Sequence, residues 1–133
     1  MKKVKILIIE DDNADFDIIR ESLPSNVNFE FYRATDGEQA IKIVKDCKPH
    51  IIFLDLNIPK IDGKTVIKRL KNDNTYKHIP IIVVSTSLSP DDIATTYRSG
   101  ANAYLTKGID FLSFSNKMYD TGNFWLKSAM LSE

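Results

Sequence analysis

IIFLDLNIPKIDG, residues 51–63, decides the fold. Its first part, Ile51 to Leu54, is apolar and too short for a helix, so it reads as a strand buried on both faces. Asp55 ends the run abruptly, and Pro59 and Gly63 supply turn chemistry just beyond it. The same pattern recurs along the chain at Val4 to Ile9, Phe29 to Ala34, Ile81 to Val84 and Ala103 to Leu105.

Helix punctuation fills the gaps. In the first interval Phe16, Ile19 and Leu23 share a face and Pro24 stops the helix. Asp36 followed by Gln39 resembles a capping box, with Ala40, Ile43, Val44 and Cys47 on one face behind it. Asp62-Gly63 reads as a turn and helix start. Ser89-Pro90-Asp91-Asp92 offers an N-cap, a first-turn proline and acids near the positive helix end. Gly100 falls where a helix C-terminus favours a left-handed residue. A long last helix is expected over residues 111–130, with Phe111, Phe114, Met118 and Trp125 in one stripe. Because Phe124 adjoins Trp125, one of those rings is expected to face outward.

Five strands alternating with five helices predict a doubly wound α/β fold, a five-stranded parallel sheet with helices on both faces. Residues 1–133 suit one domain. Right-handed crossovers bring every strand's C-terminal end to one edge, so chemistry is sought just after each strand. There stand Glu10, Asp11 and Asp12; Asp55 and Asn57; Ser85, Thr86 and Ser87; and Lys107. Two carboxylates about 4 Å apart repel by roughly 4 kcal/mol at an effective dielectric near 20, so this cluster calls for a cation. Hard oxygen ligands without His or Cys point to Mg²⁺, which keeps waters and accepts phosphate oxygens. A carboxylate is also a covalent phosphoryl acceptor, and Lys and hydroxyl donors neutralise charge on a transferred group. The residues therefore point to phosphoryl transfer onto a carboxylate. Asp12 is read equally as a cap of the first helix.

The segments IIEDD, DLNIPKIDG, VVSTS and GANAYLTK, in this order, resemble the signature segments of response regulator receiver domains from two-component systems. The likeness spans Val4 to about Leu126. It implies a flavodoxin-like receiver fold of strand order 2-1-3-4-5. It also implies that Asp55 is the phosphoacceptor, with Mg²⁺ held by Asp11, Asp55, the Asn57 carbonyl and, largely through water, Glu10. Ser85 and Lys107 would hold phosphoryl oxygens, Tyr104 would change rotamer as Ser85 moves, and Thr86 would border phosphoryl access. Asn57 and Ser87 would tune hydrolysis. Such a protein accelerates its own phosphorylation and dephosphorylation and is not a turnover enzyme. The family usually has Pro after the Lys, often through a cis bond; Gly108 stands here, and a trans bond is expected because cis before a non-proline costs about 2.5–4 kcal/mol.

The stretch Asn72 to His78 and the FWL segment at residues 124–126 are similar to single-domain regulators of bacteriophytochrome-type histidine kinases. That likeness implies a histidine kinase partner and a homodimer through the last helix and adjoining sheet edge. The chain stops soon after the last helix with no helix-turn-helix pattern, so a stand-alone regulator acting on a protein target is expected.

Composition narrows the rest. With 18 basic and 18 acidic residues and zero net charge, nothing favours nucleic acid or an anionic membrane. Apolar runs are too short to span a bilayer, acids end the first run too early for a signal peptide, and a cytoplasmic protein is expected. Cys47 has no companion for a disulfide or zinc and reads as core. His50 and His78 fall beside strand starts, away from the site, and read as structural. The alternative function is a pseudo-receiver that binds proteins without phosphorylation; Asp55, Asp11 and Lys107 argue against it. A phosphatase would want a carboxylate where Asn57 stands, and a flavodoxin-like carrier a glycine-rich loop where Glu10 to Asp12 stand.

Overall fold

The computed structural model describes residues 3–132. Strands β1 (Val4–Ile9), β2 (Phe29–Ala34), β3 (Ile51–Leu54), β4 (Ile81–Ser85) and β5 (Ala103–Thr106) alternate with helices α1 (Asn13–Glu21), α2 (Gly37–Cys47), α3 (Gly63–Lys71), α4 (Pro90–Arg98) and α5 (Phe111–Asn123). All neighbouring strands pair in parallel, in the order β2-β1-β3-β4-β5. The last two strands each run one residue further than the apolar pattern, because Ser85 and Thr106 are still paired to each other.

Strand residues alternate between two cores. Leu7, Ile9, Ile52, Leu54 and Val83 pack with Ala40 and Val44 of α2 and Val66, Ile67 and Leu70 of α3. Ile6, Ile8, Ile51, Phe53, Ile82 and Val84 pack with Ile19 of α1, Leu23 and the α5 residues Phe114 and Met118. Burying each such side chain contributes about 1.5–3 kcal/mol, which makes the central strands a rigid base for the loops at their C-terminal ends. By contrast, the one buried residue of α4 is Thr96, whose hydroxyl has no hydrogen-bond partner among the described residues. An element with so little apolar burial opens at low cost.

The caps match the sequence pattern. Asp12, Asp36, Asp62, Ser89 and Asp110 each accept the N–H three residues on. The Gln39 arm of the capping box instead accepts from the Thr35 N–H at 2.9 Å and hydroxyl at 3.1 Å. Gly100 takes φ 114° after α4, where a side chain would be strained.

Three expectations need correction. Phe111 is 67% exposed, because the cluster between α5, α1 and the sheet begins only at Phe114. The long final helix does not stay α-helical: Phe124–Ser128 form a π-helical turn, closed by the Ala129 N–H donating to the Phe124 carbonyl at 2.7 Å, and Ala129 is extended. There Trp125 packs on the core while Phe124 is exposed, their rings edge-to-face at 5.3 Å. Cys47, at the end of α2, is half-buried rather than core.

Candidate functional site

The register of the two central strands builds the site. Ile9 of β1 pairs with Leu54 of β3, so Glu10 and Asp55 leave the sheet side by side. The Asp55 N–H donates to the Ile9 carbonyl at 2.9 Å, and the Glu10 N–H to the Ala34 carbonyl at 3.0 Å. From the far side, the Lys107 N–H donates to the Ser85 carbonyl at 2.8 Å, fixing the root of the lysine on β4. Carboxylate oxygens of Glu10, Asp11 and Asp55 lie within 4.8 Å of one another.

Lys107 Nζ reaches into this cluster from the side of β5. It donates to Glu10 Oε1 at 2.7 Å, Asp15 Oδ2 at 2.6 Å and Asp55 Oδ2 at 3.3 Å. Gly108 does not shorten that reach. The described residues have no cis peptide bond, and Gly108 takes φ 80°, a conformation open to glycine, with its Cα against Ser113 where a Cβ would collide.

Glu10 is fully buried, Asp55 nearly so, and Asp11 is exposed. Burial pushes the Glu10 carboxyl up to about 7; Lys107 opposes the rise by hydrogen bond and charge, and the Asp55 charge adds to it. Burial works to lower the Lys107 ammonium, yet hydrogen bonds to Asp15 and Glu10 and the Asp55 charge outweigh it and raise it above its ordinary range. Between its ordinary 4.5 and about 7, folded Glu10 holds a proton that the unfolded chain has released. Stability of the metal-free protein should therefore fall as pH rises through that window. A saturating divalent cation bound at this cluster should offset the loss at pH 8, by about 2.7 kcal/mol at a hundredfold excess over Kd. Urea melts at pH 5 and 8, with and without Mg²⁺, check both signs.

The donor set fits a divalent cation: three carboxylates at one point, all hard oxygen. Asn57 lies exposed beside them, and its N–H donates to Asp55 Oδ1 at 3.1 Å, orienting the carboxylate.

Ser85 is fully buried at the end of β4, and its hydroxyl accepts the Ser87 N–H at 3.2 Å. Ser87 in turn donates to Asp92 Oδ2 at 2.7 Å, and Lys64 donates to Asp92 Oδ1 at 3.1 Å. Tyr104 is half-buried and its hydroxyl donates to the Ser87 carbonyl at 2.9 Å. Thr86 is exposed at the rim. Ser85, Ser87 and Asn57 line an open cleft of about 410 Å³ with Asp62, Lys64 and Asp92. One chain of hydrogen bonds thus joins Ser85, the loop after β4, α4 and Tyr104.

Asp12 serves as a cap, accepting the Asp15 N–H at 3.1 Å. Asp62 does the same for Thr65 at 2.8 Å. His50 accepts the Lys5 N–H at 2.9 Å beside the strand starts, and His78 is exposed. Two residues enter that the sequence did not single out. Asp15 pairs with Lys107, and Arg33 donates to the carbonyls of Glu10 at 3.2 Å and Asp11 at 3.4 Å while lying over the Phe16 ring. A cation near the C-terminal end of β2 was the available signal for Arg33; Asp15 looked like any first-turn acid.

The fold and this acidic edge with its lysine define a receiver, and comparison with known proteins agrees. The family model described as the response regulator receiver domain matches residues 6–118, and the chain belongs to that family. Within it, the chain is similar to response regulators associated with phytochromes. It is 32% identical over 134 residues to response regulator Rcp1 of Synechocystis sp., covering 95% of this chain and 91% of that protein. The structure of the phosphorylated cyanobacterial phytochrome response regulator RcpA superposes with a TM-score of 0.94 at 35% identity, covering 99% of this chain and all of that one. The Mn²⁺-bound form of Rcp1 superposes with a TM-score of 0.92 at 31% identity, covering 98% of this chain and 99% of that one. No helix among the described residues is long and apolar enough to cross a membrane.

Proposed function

We propose that this receiver is phosphorylated on Asp55 in a Mg²⁺-dependent reaction and signals through the face formed by α4, β5 and α5. The observation that carries the reading is the convergence of Glu10, Asp11 and Lys107 on the Asp55 carboxylate. A histidine kinase donor fits the family. An Asp55 oxygen attacks phosphorus, the P–N bond of phosphohistidine breaks, and the imidazole nitrogen leaves with the electron pair. In hydrolysis water attacks phosphorus, the acyl-phosphate P–O bond breaks, and carboxylate and inorganic phosphate are released. Glu10, Asp11, Asp55 and the Asn57 carbonyl would hold Mg²⁺, which neutralises charge on the phosphoryl oxygens. Lys107 and Ser85 supply hydrogen bonds to the same oxygens, with Thr86 at the access rim and Asn57 and Ser87 tuning hydrolysis.

Phosphorylation adds about −1.5 to −2 charges and three acceptor oxygens. Ser85 then has reason to release the Ser87 N–H and turn to the phosphoryl group. Tyr104, bound to the Ser87 carbonyl, moves inward with it, and the thinly buried α4 is the element free to adjust. Two bonds to a charged group, at about 1.5–3 kcal/mol each, total about 3–6 kcal/mol, against about 5.5 needed to invert a 1:99 population. The upper end of that range reaches the inversion, so both bonds are needed to throw the switch.

The likeness to a phytochrome response regulator supports a bacteriophytochrome-type kinase as donor and a cytoplasmic setting. Exposed Leu112, Tyr119 and Phe124 on and after α5 support a homodimer there.

Intact mass spectrometry after incubation with acetyl phosphate or phosphoramidate tests the proposal. One phosphoryl group should be gained with Mg²⁺ and none with EDTA. A folded, Mg²⁺-binding protein that gains none from either donor, or from any candidate histidine kinase, would favour the pseudo-receiver.

A further inference from the structure

We infer that Asp15 is a positioning residue that competes with the phosphoryl group for the Lys107 ammonium; the inference rests on the phosphorylation of Asp55 proposed above. An ammonium has three N–H donors, and those of Lys107 face three carboxylates. Their distances are unequal: 2.6 Å to Asp15, 2.7 Å to Glu10 and 3.3 Å to Asp55. The group needed at the phosphoacceptor is thus held mainly by the other two.

Those two differ in what a cation does to them. Glu10 and Asp55 belong to the carboxylate set that suits a divalent ion, and Asp15 does not. When the ion loads, its charge satisfies Glu10 and Asp55 and weakens their hold on Lys107. Asp15 then remains the ammonium's own counter-charge. Its backbone N–H is anchored on Asp12 and its side chain is only 27% exposed, so it stays in place across 92 positions of sequence from its partner. A phosphoryl group on Asp55 must draw Lys107 from this contact or share it. Asp15 therefore sets how readily the ammonium is given up.

The ordinary role of a first-turn acid is to favour the helix N-terminus. Asp17 separates the two roles: it lies on the same helix, is 56% exposed and, among the described residues, has only Arg20, 3.8 Å away, as ionic neighbour. The measurement is calorimetric binding of Mg²⁺ alone, then of beryllofluoride to the Mg²⁺-saturated protein, for wild type, Asp15→Asn, Asp15→Glu and Asp17→Asn. In Asp15→Asn the freed ammonium turns to Glu10 and Asp55. Mg²⁺ binding should weaken and beryllofluoride binding strengthen, each by about three- to tenfold. Asp15→Glu should restore both toward wild type, and Asp17→Asn should move neither by as much as twofold. Equal effects of Asp15→Asn and Asp17→Asn, or shifts of Asp15→Asn in one common direction, would overturn the role of Asp15 alone. A wild type that binds Mg²⁺ but no beryllofluoride would overturn the phosphorylation reading and this inference with it.

Discussion

The Asp55→Asn variant is expected to fold, to bind Mg²⁺ more weakly and to gain no phosphoryl group from acetyl phosphate. Asparagine keeps an oxygen for the Asn57 N–H, now 3.1 Å from Asp55 Oδ1, so the turn after β3 survives. It removes the carboxylate proposed as nucleophile, and an amide oxygen does not replace it. Loss of uptake should therefore be complete within detection, not a matter of a few-fold. The metal-free variant should also be somewhat more stable at pH 8. The Asp55 charge helps to raise the Glu10 carboxyl, and without it Glu10 ionises with less penalty. Intact mass and urea melts report the two effects separately. A phosphoryl group gained by this variant would place the acceptor elsewhere, with the Ser85, Thr86 and Ser87 hydroxyls first to test.

Much of this site was legible from the sequence because strand ends carry it. An apolar run that stops at an acid, as Ile51 to Leu54 stops at Asp55, marks both the strand and the end where the candidate site gathers. The fold's handedness then brings such ends together. Glu10, Asp55 and Lys107 were found this way, and the register of β1 and β3 puts the first two side by side. The caps were equally legible, since each depends on residues three apart. What stayed hidden depends on side-chain reach across the fold. Asp15 is one acid among several in α1, and nothing local distinguishes it until Lys107 arrives from 92 residues away. Periodicity misled at the ends of α5, where angular position alone cannot say whether a neighbour covers Phe111 or whether the last turn widens. At the Gly108 departure from the family pattern, a left-handed glycine and a trans bond leave Lys107 within reach of Glu10, Asp15 and Asp55.

That reach makes Lys107→Met the second decisive variant. Methionine keeps an unbranched apolar stem and removes the ammonium from Glu10, Asp15 and Asp55 together. Three measurements should move in different directions. Phosphorylation by acetyl phosphate should slow by about 10- to 100-fold, the equivalent of one lost charge-assisted hydrogen bond of about 1.5–3 kcal/mol. Mg²⁺ should bind about tenfold more tightly, because the competing cation has gone. Stability of the metal-free protein should fall, since removing one partner of a buried pair costs about 3–5 kcal/mol when the other stays ionised. Protonation limits that loss: Glu10 is already raised to about 7, and without the Lys107 hydrogen bond it goes higher. The deficit should be small at pH 6, where Glu10 takes up a proton, and large at pH 8, where part of its ionisation must be borne without a counter-charge. A variant that phosphorylates at the wild-type rate with unchanged Mg²⁺ affinity would show Lys107 to be a buried structural cation and leave Ser85 as the remaining donor from β4 to the phosphoryl oxygens.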